Sequence, residues 1–244
     1  MSLALKLALA PLLVAQAVTT RRRAPVLPEA AGPRRGRVGR GGGGLRLLIA
    51  GDSSAAGVGV AHQDRALAGH LTRALHRLAA RPVHWSLHAR SGLTTLQVHA
   101  LLRSDAPAGQ ADVAVVVTGV NDVIDLVPPR RAVQHREALA GWLLGECGVG
   151  HVVFAPLPPV HRFPLLPQPL RKVMGDEARR HDEAVAAWAA GRAGVSHLTI
   201  AFDLTTDAMA SDGFHPGEPV YRACGEAIAA HIAQRNTTHQ ETTS

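Results

Sequence analysis

The chain has 244 residues, 46% of them apolar and only 3% aromatic, which suits one domain with an aliphatic core. The formal net charge of +7 lies in the first 44 residues, where eight cations meet one anion; the remaining 18 cations and 18 anions cancel. A balanced domain lacks the excess positive charge that phosphate-backbone binding needs, so no nucleic-acid partner is expected.

Residues 2–18, SLALKLALAPLLVAQAV, are apolar apart from Lys6. A membrane-spanning helix needs about 20 such residues. Lys6, the following apolar stretch and Ala15-Gln16-Ala17 imitate an export signal with its cleavage site. Arg21, Arg22 and Arg23 argue the other way, because positive charge just after an apolar segment favours the cytoplasmic side. Three readings stand: a membrane-associated anchor or surface helix, a cleaved signal, or a helix packed on the domain. The first is preferred, on either the cytoplasmic or the periplasmic face. Residues 21–44 carry Pro25, Pro28, Pro33 and a glycine run among arginines, which is linker composition.

From Leu45, strand-like and helix-like patterns alternate over a domain expected to span residues 45–235. The run Leu47-Leu48-Ile49-Ala50 stops at Gly51-Asp52-Ser53 and reads as a buried strand. Residues 64–80 place Leu67, Leu71, Leu75 and Leu78 at helical spacing. Strands follow at 83–89, 113–118, 151–155 and 195–200. Helices follow at 96–103, 130–144, 170–190 and 220–234. Five strands separated by helices imply right-handed crossovers and a three-layer α/β/α sandwich, flavodoxin-like, with a mostly parallel five-stranded sheet. The tail at 236–244 is polar.

In an open parallel sheet, ligands bind beyond the carboxyl ends of the strands. Four loops reach that edge here. Gly51-Asp52-Ser53 follows the first strand and Ser91-Gly92-Leu93 the second. Gly119-Val120-Asn121-Asp122 follows the third, and Ser211-Asp212-Gly213-Phe214-His215 the fifth. With these blocks in this order, the chain resembles the SGNH hydrolases, also called the GDSL esterase/lipase family. The family's serine, glycine, asparagine and histidine match Ser53, Gly92, Asn121 and His215, with Asp212 three residues before the histidine. The resemblance covers residues 45 to about 234. Ser54 departs from it, since the name motif has leucine there.

The chemistry of these residues fits the resemblance. A serine hydroxyl needs a neighbouring base to become a nucleophile. The His215 imidazole titrates near neutrality and can take the proton and return it to the leaving group. Asp212 can hold the ring in the required tautomer. The Ser53 N–H, the Gly92 N–H and the Asn121 amide can donate to a developing oxyanion. Asp52 and Asp122 read as structural, bonding loop backbone or capping helices.

Residues 156–169 hold six prolines with Phe163, Leu165 and Leu166, and could form an apolar substrate wall. Leu126 could stand on the opposite side. The resemblance implies no cofactor, and a small-molecule acyl ester as substrate. It includes esterases, lysophospholipases, thioesterases and carbohydrate deacetylases, and fold alone does not choose among them. The apolar loop and N-terminus favour short- to medium-chain or lysophospholipid-like esters, with sugar O-deacetylation as the closest rival. A non-catalytic nucleotide- or flavin-binding module is the rival from another class. It lacks the G-x-G-x-x-G fingerprint and leaves Asn121, Asp212 and His215 without a role. The histidines show no metal-ligand spacing, and Cys147 and Cys224 form no metal or redox motif, so no metal is expected.

Overall fold

A computed structural model describes residues 8–105, 111–201 and 204–241. Helix α1 (Ala10–Arg23) precedes a short strand β1 (Arg35–Val38). The domain then runs β2 (Leu45–Gly51), α2 (Ser53–Ala56), α3 (Leu67–Ala79), β3 (Val83–Ala89) and α4 (Thr95–Asp105). It continues with β4 (Val113–Val117), α5 (Val120–Ile124), α6 (Pro129–Gly145) and β5 (His151–Phe154). It closes with α7 (Leu170–Ala189), β6 (Val195–His197) and α8 (Glu218–Glu241). Of the N-terminal apolar segment, residues 2–7 lie outside the described residues, as do 242–244 of the tail.

The strands form one sheet in the order β1-β3-β2-β4-β5-β6. All neighbours are parallel except β1, which pairs antiparallel with β3 through Arg35↔Ser86 to Val38↔Val83. The sheet therefore has six strands where five are expected. The additional one comes from the stretch read as linker. Three of its four residues are exposed, so its own pattern carries no strand signal; its place is set by hydrogen bonding to the edge of β3. Strand β6 ends at His197, three residues short of the expected Ile200.

Period-two alternation divides β2 between two cores. Leu45, Leu47 and Ile49 face one side with Val115 and Val153, under Leu71 and Leu75 of α3 and Ile228 and Ile232 of α8. Leu48 and Ala50 face the other with Val116 and Phe154, under Leu102 of α4, Leu139 and Leu143 of α6, and Val185 of α7. Each fully buried leucine contributes about 2 kcal/mol of apolar transfer. These two aliphatic cores make the three layers.

The parallel strands reverse direction of progression at β2, whose neighbours β3 and β4 both follow it in the chain. That reversal leaves a crevice at the carboxyl ends of β2 and β4, where this class of sheet binds its ligands. The loops after both strands open into it.

Candidate active site

Ser53 is the first residue of α2, directly beyond β2. Asp52 caps that helix, its Oδ1 accepting from the Ser54 N–H at 3.0 Å. Asp52 N–H in turn donates to the Val117 carbonyl at the end of β4, 3.1 Å away. The serine is thus pinned between the two central strands.

His215 arrives from the loop before α8. Its Nε2 lies 3.1 Å from Ser53 Oγ, and its Nδ1 lies 2.5 Å from Asp212 Oδ2. The other carboxylate oxygen of Asp212 accepts from the Phe214 and His215 N–H groups, each at 2.9 Å. That turn holds acid and base on one side of a single loop. Burial would raise the Asp212 carboxyl, but the His215 side chain and these two backbone donors outweigh it and hold it below its ordinary value. A carboxylate kept ionised fixes the proton on Nδ1 and leaves Nε2 free to accept from the serine.

Asn121 lies in α5, after Gly119. Gly119 has φ +134°, and a Cβ there would stand 2.5 Å from an Arg136 nitrogen, so only glycine fits. The Asn121 amide donates to the Leu93 carbonyl at 3.1 Å, which ties the β4 loop to the β3 loop. Gly92 sits in that second loop with φ +82° and open space where a Cβ would stand.

A cavity of about 70 Å³ opens beside Ser53 and His215. Its lining is mainly apolar and includes Val120, Asn121, Phe163, Phe214 and Cys224. Phe163 stands edge-on to Phe214, with centroids 5.1 Å apart, and Phe214 stands edge-on to His215. Burial pushes the Cys224 thiol up to about 12, so it stays protonated and a poor nucleophile at neutral pH. Among the described residues no group of three or more His, Cys, Asp or Glu side chains can hold a metal ion.

Residues 49–223 match the model of the GDSL-like lipase/acylhydrolase family. The chain belongs to that family. It is therefore an ester-hydrolysing enzyme. Solved structures of similar fold include the lipase Lip_vut3 from a goat rumen metagenome, with a TM-score of 0.62 and 17% identity over 76% of this chain and 96% of that one. A lipolytic G-D-S-L protein from Veillonella parvula gives 0.60 and 14%, covering 77% and 97%. The acetylxylan esterase Axe2 from Geobacillus stearothermophilus gives 0.53 and 18%, covering 78% and 95%. Among curated proteins, none matches the sequence.

Of the four wall residues expected in this GDSL-like hydrolase, Phe163 lines the cavity and the other three do not. Leu126 is 80% exposed, in a turn with φ +55°, and is not part of the cavity lining. Leu166 is buried behind the wall, in the cluster that Phe163 shares with Val123, Leu157 and Leu170, and does not reach the cavity. Leu165 meets the His215 loop through its backbone, its N–H donating to the Gly213 carbonyl at 3.1 Å.

Sequence reasoning missed Arg136. It is 1% exposed, beneath the site. Its guanidinium donates to Asp122 Oδ2 at 3.3 Å and to the Ala132 and Thr118 carbonyls at 3.1 Å. Asp122 also accepts from the Thr95 N–H at 3.0 Å and the Thr95 hydroxyl at 2.5 Å. The one signal available was position: Arg136 falls three residues from both Val133 and Leu139, on the apolar stripe of its helix.

Asp52 yields a pH-dependent expectation. Burial pushes its carboxyl up to about 7; the Ser54 N–H opposes this, Asp122 adds to it, and Arg136 opposes it. The folded hydrolase then holds this proton more tightly than the unfolded chain, where the carboxyl titrates near 3.8. The resulting stability is fully present below that value and lost as pH rises through about 7. Wild type should lose stability relative to Asp52→Asn between about pH 4 and pH 7 in denaturant titrations, and no more above that. A constant difference over that range would show that Asp52 does not titrate there.

Proposed function

We propose that this enzyme hydrolyses carboxylic acyl esters through a covalent acyl-enzyme at Ser53. The observation that carries the reading is the continuous relay from Ser53 Oγ through His215 to Asp212, at 3.1 and 2.5 Å. Ser53 Oγ attacks the ester carbonyl while His215 Nε2 takes its proton. The tetrahedral oxyanion is met by the Ser53 N–H, the Gly92 N–H and the Asn121 amide. His215 returns the proton to the departing alcohol. Water, deprotonated by His215, then attacks the acyl carbonyl and frees Ser53. Asp212 stays ionised throughout and stabilises the imidazolium.

The apolar cavity beside Ser53 favours an acyl chain of short to medium length over acetate alone. The test is hydrolysis of p-nitrophenyl esters from acetate to palmitate. The reading expects an optimum beyond acetate. Activity confined to acetate would instead support carbohydrate O-deacetylation, and no activity on any ester would contradict the reading.

We also propose that α1 rests on an anionic membrane surface. Among the described residues no helix is long and apolar enough to cross a membrane. Leu13 joins the cluster behind Phe163, and Gln16 bonds the Gln168 carbonyl and the Leu170 N–H at 2.7 and 3.1 Å. Those contacts fix which face is outward. Val14 and Val18, 62% and 43% exposed, lie on it, and Arg21, Arg22 and Arg23 follow in the last turn. Apolar side chains beside arginines match a headgroup layer, at about 1 kcal/mol per cation. The hydrolase should co-sediment with phosphatidylglycerol vesicles at low salt. Replacing Arg21, Arg22 and Arg23 by glutamate should abolish this. Absence of wild-type binding would contradict the proposal.

A further inference from the structure

A segment upstream of the family-matched span holds one of the active-site loops. Glu29 Oε1 accepts from the Ser91 N–H at 2.7 Å and from the Ser91 hydroxyl at 2.9 Å. Glu29 Oε2 accepts from Arg34 at 2.5 Å. The other terminal nitrogen of Arg34 donates to the carbonyl of Ala89, the last residue of β3, also at 2.5 Å. One ion pair therefore grips the stretch that leads into Gly92 at two points, Ala89 and Ser91. Nothing stands within 4 Å of where a Gly92 Cβ would be, and both Ser91 and Gly92 are exposed. Packing does not fix this turn at Gly92, so polar bonds place it: those of Glu29 and Arg34 before the glycine, with Arg90 N–H on the Gly51 carbonyl, and that of Asn121 on the Leu93 carbonyl after it.

The strap is itself anchored to the serine side of the cleft. The Ala30 N–H donates to the carbonyl of Ala56, the last residue of the helix that Ser53 opens, at 3.2 Å. The buried Gln63 amide bridges the same Ala56 carbonyl and that of Ala30, at 2.9 and 3.2 Å. Residues 29–34 thus connect the nucleophile's helix to the glycine turn.

We propose that Glu29, aided by Arg34, is a positioning residue for the oxyanion donor at Gly92. This rests on the ester-hydrolase reading above. A misplacement of about 1 Å can cost roughly 100-fold in rate, whereas a half-exposed ion pair contributes little to stability. Loss of Glu29 should therefore appear in catalysis and not in folding.

The experiment compares wild type, Glu29→Ala and Glu29→Gln. It reads kcat and KM on p-nitrophenyl butyrate, and inhibition by a butyl trifluoromethyl ketone, whose serine adduct carries the oxyanion. Glu29→Ala is expected to lower kcat about 10-fold or more and to raise the ketone Ki in parallel, with KM within about twofold. Glu29→Gln keeps an acceptor for Ser91 and should recover most of kcat. Unchanged kcat and Ki in Glu29→Ala would overturn the proposal. So would a loss that tracks a lower Tm and is not recovered by Glu29→Gln. A wild type that hydrolyses no ester and binds no ketone would instead sink the ester-hydrolase reading, and this proposal with it.

Discussion

Ser53→Ala is expected to lower kcat for ester hydrolysis by about 10,000-fold or more, with KM little changed. Removing Oγ deletes the atom proposed to form the acyl-enzyme, and His215 then loses the hydroxyl that lies 3.1 Å from its Nε2. What remains is catalysis by the oxyanion donors and by substrate binding alone. His215→Ala should cost about as much, because the two act as one unit, and the double variant should be hardly worse than either single one. Asp212→Asn keeps a side chain of the same shape but can present an N–H to Nδ1. It should fall by a similar order through the wrong tautomer. The check is steady-state kinetics on p-nitrophenyl butyrate. A Ser53→Ala enzyme within tenfold of wild type would show that another group carries the reaction.

The second large effect is on stability. Arg136→Met should destabilise the fold by about 3–5 kcal/mol, because it leaves Asp122 buried without a cation. In a domain of this size that lowers Tm by roughly 10 °C. The guanidinium also satisfies the Thr118 and Ala132 carbonyls, and neither is replaced by a thioether. Pairing it with Asp122→Asn removes the orphaned charge and should restore part of the loss, a coupling that a double-mutant cycle measures. Because Arg136 bonds Asp122 and the Thr118 carbonyl, on either side of Asn121 in the loop, the single variant should also reduce kcat more than it raises KM. Loss of less than about 1 kcal/mol would mean that Asp122 finds another partner or protonates. Thermal and denaturant melts decide this.

How much of this was legible beforehand depends on how local the cause is. Strands β3 and β4 are read to within a residue; Val113–Val117, for one, is apolar throughout and ends at turn residues. The meeting of Ser53, His215 and Asp212 was legible because each lies in a short polar block between elements, and the fold brings those blocks together. Strand β1 was not, because Arg-Gly-Arg-Val is a strand only by virtue of the open edge of β3. Glu29 escaped for the same reason: its role depends on Ser91, 62 residues away. Leu126 and Leu166 were misassigned because apolar character alone does not tell a cavity wall from an exposed turn or a core cluster.

The most direct test of the account is covalent labelling with an alkyl fluorophosphonate, read by intact mass and peptide mapping. The account predicts a single adduct on the folded protein, on the Ser53 hydroxyl, that is lost in both Ser53→Ala and His215→Ala. A folded protein that takes up no label, or takes it up at a residue other than Ser53, would contradict it.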